Sequence, residues 1–379
     1  MANVLTALAP ILFQAARVVP RELTGVLAAV TRDFDSKGVA LGQTVVVPVA
    51  PILTASSVTP SATFASGNDR TATSKVLTLN NFKEVSWNLT AEQERGLMNG
   101  APNDVEMLKQ TIAQGIRTLV NAVELYSWQV AYQNSSRAFG TAGTTPFASS
   151  LSDLAQPRKI VVDNGSSDND LSAVIDTVSG VNLRALPNLL QVYQAGSDDT
   201  LRNGTLGSVY KINIRESGAI APVTKGTGTS YTSTAAGFAV GTTSIPLITG
   251  SGTILAGDVV TFAGDTNKYV VATGIAAPGT IVLQEPGLKV ALAASAIALT
   301  VGNNYTPNLV LHRSAVVAVI RPGLQPVSPV AEQMTVTDDQ TGLSFLLLRV
   351  VQNAQTSWFM RIVYDAFAPN PYAIATLLG

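Results

Sequence analysis

Residues 104–130 read DVEMLKQTIAQGIRTLVNAVELYSWQV, and this stretch decides the fold. Its apolar residues recur at a mean spacing of about 3.6 residues, which is the α-helical period. Asn103 or Asp104 can cap the start, and Gly140 follows the expected end near residue 137. We therefore predict one helix of about 50 Å that spans the molecule, several times the mean helix length. The apolar series is Val105, Leu108, Ile112, Ile116, Leu119, Val123, Tyr126 and Val130.

The two segments before this helix have an extended character. Residues 1–40 form an amphipathic arm, which packs either on its own domain or on a neighbour. In residues 41–90, Thr44–Val49 is a β-rich run, and the alternation of apolar and polar residues over 84–89 predicts a half-buried strand opposite it. A lone hairpin is only marginally stable in water, so a long hairpin with a Ser/Thr-rich tip predicts docking against another chain.

The composition excludes several classes of protein. Lys plus Arg is 24 and Asp plus Glu is 25, so only 13% of residues are charged, against about 25% in a typical domain. So few charged residues cannot cover the whole surface, and we expect part of that surface to contact other subunits. The net charge of −1 provides no basic field for gripping nucleic acid, and the lack of cysteine excludes disulfides and thiolate metal sites. The first charged residue is Arg17 and apolar runs are short, so we predict neither a secretory signal nor a membrane span.

No set of residues with catalytic spacing stands out. His312 is the only histidine, and a hydrogen-bonded strand residue is a better interpretation than a triad member, since no nucleophile elbow accompanies it. The run 163–170 has three carboxylates, but its spacing departs from the calcium-binding loop pattern and favours a solvated acidic loop. Asp198-Asp199 and Asp338-Asp339 are typical of helix ends and turns. We therefore predict a structural protein with no enzymatic activity, cofactor or metal.

The second half of the chain contains a change in composition. Residues 224–305 hold six charged residues in 82 positions, about half the density elsewhere. Short β-rich runs at 259–262, 269–271 and 280–283 alternate with glycine-rich turns, which predicts a small inserted β-barrel or sandwich. After it, we expect a buried strand at 309–320 and an antiparallel pair at 343–351 and 357–364.

Four short motifs carry a resemblance to a known family. They are NLVLHRSAVVAVIRP at 308–322, DQTGLS at 339–344 followed by RIVYD at 361–365, AGDVVTFAG at 256–264 and EPG at 285–287. The chain runs from an amphipathic arm through a long hairpin, a spanning helix, a mixed α/β region and an inserted β-domain to closing strands. With these motifs, that order of elements resembles the major capsid proteins of tailed bacteriophages with the Hong Kong-97-type fold. The nearer likeness is to the short-tailed-phage "gene protein 5" coat family, whose members carry an inserted domain.

The resemblance implies an α+β fold and a structural role. The chain would be the coat protein of an icosahedral head, assembled in the host cytoplasm as pentamers and hexamers. Scaffolding protein, portal and non-specifically packaged double-stranded DNA would be its partners, with no membrane. The implied divisions are an N-terminal arm at 1–40, an extended loop at 41–90, a spine helix and peripheral domain at 91–140, an axial domain at 141–223, an inserted β-domain at 224–305 and closing axial and peripheral strands at 306–379.

Contacts between subunits are expected along the extended loop. We take Phe64, Arg70, Phe82 and Trp87 as the candidate contact residues. Two other structural roles stay open, a phage tail or baseplate protein and an exported surface-array or adhesin protein. The long helix argues against a tail-tube protein, and the N-terminus offers no export signal. An enzyme acting on polysaccharide would need paired carboxylates in a cleft and is the least favoured class.

Overall fold

The computed structural model describes residues 24–34, 37–49, 73–99, 102–191, 202–324, 331–338, 341–352 and 355–379. Within these ranges the chain combines a long helix with two large β-sheets, which confirms the predicted α+β class. No helix in this part of the chain is long and apolar enough to cross a membrane. The helices are α1 (Val26–Ala29), α2 (Ala91–Met98), α3 (Pro102–Gln133), α4 (Ser152–Asp163), α5 (Thr177–Ala185) and α6 (Pro187–Leu190).

The strands are numbered in chain order. Those before the predicted insertion are β1 (Thr31–Phe34), β2 (Thr44–Val49), β3 (Thr73–Thr78), β4 (Asn81–Thr90), β5 (Arg137–Phe139), β6 (Leu171–Ile175), β7 (Ser208–Val209) and β8 (Ile212–Glu216). Those of the insertion are β9 (Tyr231–Thr232), β10 (Ser244–Pro246), β11 (Val259–Phe262), β12 (Lys268–Thr273), β13 (Thr280–Leu283) and β14 (Ala298–Val301). The last are β15 (Pro307–His312), β16 (Val317–Arg321), β17 (Ala331–Thr337), β18 (Ser344–Gln352), β19 (Gln355–Phe367) and β20 (Ile374–Leu378).

The long helix is present as predicted, with both ends corrected. It begins at Pro102, so Asn103 and Asp104 lie inside the helix and do not cap it. Helix α3 has 32 residues, about 48 Å at 1.5 Å per residue, and its apolar stripe from Leu108 to Val123 is buried. It ends at Gln133 rather than near 137, because residues 137–139 pair as β5 between β20 and β12. Gly140 therefore follows a strand and does not cap the helix.

Helix α3 packs on a six-stranded sheet in the order β1-β16-β19-β18-β17, with β4 also paired to β19. The predicted antiparallel pair near the C-terminus is confirmed, since β18 and β19 pair from Leu346–Arg361 to Gln352–Gln355. The second sheet has twelve strands and runs from β7 through β15, β20 and β5 into the insertion strands β12, β11, β14 and β9. Strand β5 thus joins the insertion to the rest of the chain.

One predicted strand is divided in the structure, and a tight hairpin forms shortly before the insertion. The stretch 309–320 forms β15 in the twelve-stranded sheet and β16 in the six-stranded sheet, separated by a 3-10 turn at Arg313–Ala315. The stretch 209–214 is a tight hairpin of β7 and β8, with Tyr210 and Lys211 at φ of 53° and 63°. Two consecutive left-handed residues match the right-handed twist of hairpin strands, so the chain reverses there.

The inserted region has a core of its own. Tyr231, Ile245, Phe262 and Ile281 are among the buried residues of a cluster drawn from this region alone. The runs predicted at 259–262 and 280–283 form β11 and β13, and the run at 269–271 lies inside β12. Where the region leaves and rejoins the chain, Val223 and Tyr305 pair through backbone hydrogen bonds.

Candidate assembly surfaces

The hairpin of β2 and β3 has one attached face and one exposed apolar face. Leu77 and Leu79 are buried against Val39, Val319 and Val363 of the body. On the opposite face, Val46 lies directly across from Val76 in the antiparallel register, and these residues are 58% and 60% exposed. The hairpin is therefore fixed at its base while presenting a cross-strand valine pair to the outside.

The partner of β2 differs from the sequence prediction. We expected the strand at 84–89 to lie opposite Thr44–Val49, but β3 holds that place and β4 pairs instead with β19. The chain changes direction between β3 and β4, where the backbone N–H of Asn80 donates to Asp365 Oδ2 at 3.1 Å. The alternation along β4 is confirmed, because Val85, Trp87 and Leu89 pack against the core.

The predicted contact residues do not gather at one place. Phe64 and Arg70 lie outside the described residues. Phe82 is 43% exposed, and the guanidinium of Arg361 lies 5.9 Å from its ring centroid. Trp87 faces the other side of β4, where its ring stacks on Trp358 at 6.2 Å with 5° between the planes. Of the two described residues, only Phe82 therefore presents its ring to the outside, and contact with another subunit stays a prediction for both.

The N-terminal segment is tied to the long helix by a buried carboxylate. Glu124 of α3 accepts hydrogen bonds from the backbone N–H of Val26 at 2.7 Å and of Leu27 at 2.8 Å, and from Ser217 Oγ at 2.7 Å. Burial raises the pKa of Glu124, and these hydrogen bonds oppose that rise. Strand β1 then pairs in parallel with β16. The arm is predicted to pack either on its own domain or on a neighbour, and residues 26–34 pack on their own domain.

A second exposed apolar pair lies on helix α5. Asp176 caps this helix by accepting from the backbone N–H groups of Val178 and Ser179. Val178 and Val181, three residues apart on one face, are 57% and 64% exposed. Contact with another subunit would remove the apolar area of this pair from water, so α5 is a second candidate contact surface.

His312 and the acidic loop at 163–170, both considered for chemistry, have structural partners, whereas Asp198, Asp199 and Asp339 lie outside the described residues. His312 ends β15, where its Nδ1 lies 2.8 Å from Ser314 Oγ and accepts from the Ser314 backbone N–H. In the acidic loop, Asp168 pairs with Lys211 at 3.1 Å and with Arg158 at 3.2 Å, and these two cations lower its pKa. Among the residues that the structure describes, no group of three or more His, Cys, Asp or Glu could hold a metal ion.

Sequence reasoning missed the two valine pairs and Glu124. Val46 belongs to the run TVVVPV, in which apolar residues occupy both faces of the strand. The sequence pattern therefore does not show which face is exposed to solvent. Val178 and Val181 have the spacing of a buried helical stripe, so their pattern alone predicts core. The odd separation between Phe82 and Trp87, in contrast, could have shown that they lie on opposite faces of one strand.

The chain is similar to solved phage structures along nearly its whole length. No protein-family model matches the sequence, and no curated protein matches it. A capsid structure of the cyanophage P-SCSP1u shares 14% identity with a TM-score of 0.49, over 94% of this chain and 88% of that one. A structure from Mycobacterium phage Che8 shares 12% identity over 94% and 91% of the two chains, with a TM-score of 0.47. The mature capsid of bacteriophage PhiM1 shares 11% identity over 92% and 85%, also with a TM-score of 0.47.

Proposed function

We propose that this chain is a major capsid protein, which assembles with copies of itself into the icosahedral shell of a tailed phage. The observation that carries the proposal is the β2–β3 hairpin, whose base is packed on the body while Val46 and Val76 remain exposed. An isolated two-stranded ribbon is marginally stable in water. A second copy of the chain that covers the valine pair would stabilise it. This is also the function that the sequence resemblance implies.

The contact formed in this way is head-to-tail. The hairpin of one copy contacts a different surface on the next copy. Repeated contacts of this kind close into a ring when the rotation from one copy to the next is a whole fraction of a full turn. Rings of five and six subunits can tile a closed shell. With only 13% of its residues charged, the chain is suited to contacts made by shape and apolar surface rather than by many salt bridges.

The remaining partners follow from the same role. The shell would enclose double-stranded DNA in the virion, and a net charge of −1 suits a non-specific inner surface rather than a tight grip on phosphates. A scaffolding protein and a portal would guide assembly in the host cytoplasm. The role is structural and requires no catalytic step.

Electron microscopy of the purified chain, with size-exclusion chromatography, tests the proposal. We expect closed or aberrant shells on the order of tens of nanometres across, alone or after addition of a candidate scaffolding protein. A double variant, Val46→Asp with Val76→Lys, replaces the apolar pair by an opposite-charge cross-strand pair that keeps the hairpin. It should give folded subunits that form no shells.

The control is Val240→Asp, at a position of the inserted region that is also exposed. This variant should assemble as the wild type does. Fibres or flat arrays from the wild-type chain would instead favour the tail or surface-array alternatives. Normal shells from the double variant would contradict the role given to the hairpin.

A further inference from the structure

A cleft of about 460 Å³ lies where the inserted region meets the rest of the chain. Its walls come from β5 and the residues after it, from one side of α4, and from the turn before β12. Three cations line it, Arg137, Lys159 and Lys268, against one carboxylate, Asp163. The cleft therefore carries an excess of positive charge in a chain whose net charge is close to zero.

Arg137 is the unusual member of this cleft. It is 5% exposed, yet its guanidinium donates only to two neutral amide oxygens, Asn267 Oδ1 at 3.2 Å and Asn164 Oδ1 at 3.0 Å. Its Nε has no hydrogen-bond partner among the described residues, which is also true of Arg349 Nε, but none of the ion pairs in those ranges includes Arg137. Burial lowers the pKa of Arg137, although Tyr269, Asp163 and Asp265 oppose this.

The second buried arginine has the carboxylate partners that Arg137 lacks. Arg349 is 8% exposed, and it forms ion pairs with Glu94 and, at 3.2 Å, with Glu332. A buried cation without a carboxylate partner is costly, since neutral acceptors replace only part of the hydration that the cation has lost. The chain thus compensates one buried guanidinium with two carboxylates, whereas the other, Arg137, has only amide oxygens as acceptors and belongs to the lining of a cleft.

The surroundings hold Arg137 in place without a ligand. The side-chain amide of Asn267 donates to Asp265 Oδ1 at 2.7 Å, and that of Asn164 donates to Ser136 Oγ at 3.0 Å and to the Tyr372 carbonyl at 2.9 Å. Both amide oxygens are therefore turned toward the guanidinium. A donor fixed in this way spends little conformational entropy when an acceptor arrives.

We propose that this cleft binds a small oxyanion, a phosphate or a carboxylate, with Arg137 as its main donor. A guanidinium presents parallel N–H groups that match two oxygens of such an anion. Lys159 is exposed at the same cleft, and Lys268, whose Nζ also donates to the Gly140 carbonyl, adds a third positive charge. Because the cleft lies between the insertion and β5, the bound anion would strengthen the attachment of the two parts.

Calorimetric titration of the full-length chain with inorganic phosphate tests this site, with acetate as a second probe and sodium chloride holding the ionic strength constant. We expect saturable binding of both anions and a rise in unfolding temperature. Lys159→Gln, at an exposed position with no ion pair in the described part of the chain, should weaken binding about threefold to tenfold. Arg137→Gln should abolish it. Lys83→Gln, an exposed lysine on β4, is the matched control and should bind as the wild type does.

Two results would overturn the proposal. One is the absence of any heat or stabilisation beyond the chloride baseline in the wild-type chain. The other is equal phosphate affinity in Lys159→Gln, Lys83→Gln and the wild type, which would indicate a diffuse charge effect. Because Lys159→Gln removes only an exposed side chain, the test holds even where Arg137→Gln fails to fold.

Discussion

Glu124 illustrates how one residue can connect three distant parts of the chain. It lies buried in α3 and accepts hydrogen bonds from the N-terminal segment and from Ser217. Desolvation is the largest influence on this group and raises its pKa above the usual value of 4.5. Between the unfolded and folded pKa values the folded chain binds the extra proton, so rising pH lowers the free energy of unfolding.

Glu124→Gln should remove this pH dependence. An amide does not titrate, so the free energy of unfolding of the variant, relative to the wild type, should increase as the pH rises from about 4.5 through the folded pKa. Urea unfolding at a series of pH values measures this difference. Glu106→Gln, at an exposed position of the same helix, controls for the loss of one charge. Parallel curves for Glu124→Gln and the wild type would show that Glu124 does not titrate differently in the folded chain.

At the scale of the element, helix α3 contains a glycine, which has a lower helix propensity than any residue except proline. Gly115 lies in the middle of the helix, where glycine costs about 1 kcal/mol relative to alanine. A methyl group there would lie 3.7 Å from the Trp87 ring and from Val85, and 3.8 Å from Met360 Sδ. These are ordinary van der Waals distances, so the packing of α3 on the sheet leaves room for alanine.

Gly115→Ala should therefore raise the free energy of unfolding by about 0.5–1 kcal/mol. Urea unfolding measures the change. The matched control is Gly165→Ala, just after α4, where φ is +89° and no other atom is near. The same chemical change should lower stability by about 1 kcal/mol there, because alanine is strained in left-handed backbone. A loss of stability in Gly115→Ala would mean that the Trp87–Trp358 stack cannot accept the methyl group.

At the scale of the whole molecule, the sequence predicts elements better than it predicts their partners. Apolar periodicity identified α3 and β4, because it reports which residues face a core, and short β-rich runs between glycine-rich turns identified β11 and β13. It could not predict that β4 pairs with β19, since Trp87 and Trp358 are far apart in sequence. An alternation of apolar and polar residues shows which face of a strand is buried, and it is the same whichever strand lies alongside. The exposed valine pairs were hidden for a related reason, because periodicity does not distinguish a surface buried within one chain from a surface buried between two.

The valines of α5 test whether a second surface takes part in assembly. Val178 and Val181 lie exposed in the part of the chain that the resemblance assigns to the axial domain, where copies would meet around a symmetry axis. Val178→Asp with Val181→Asp removes apolar area worth about 25 cal/mol per Å² if copies bury it together, and adds repulsion between copies. We expect folded subunits with unchanged unfolding temperature that fail to close into rings, measured by size-exclusion chromatography and electron microscopy. Val240→Asp is again the exposed control, and intact shells from the α5 variant would leave the β2–β3 hairpin as the surface on which assembly depends.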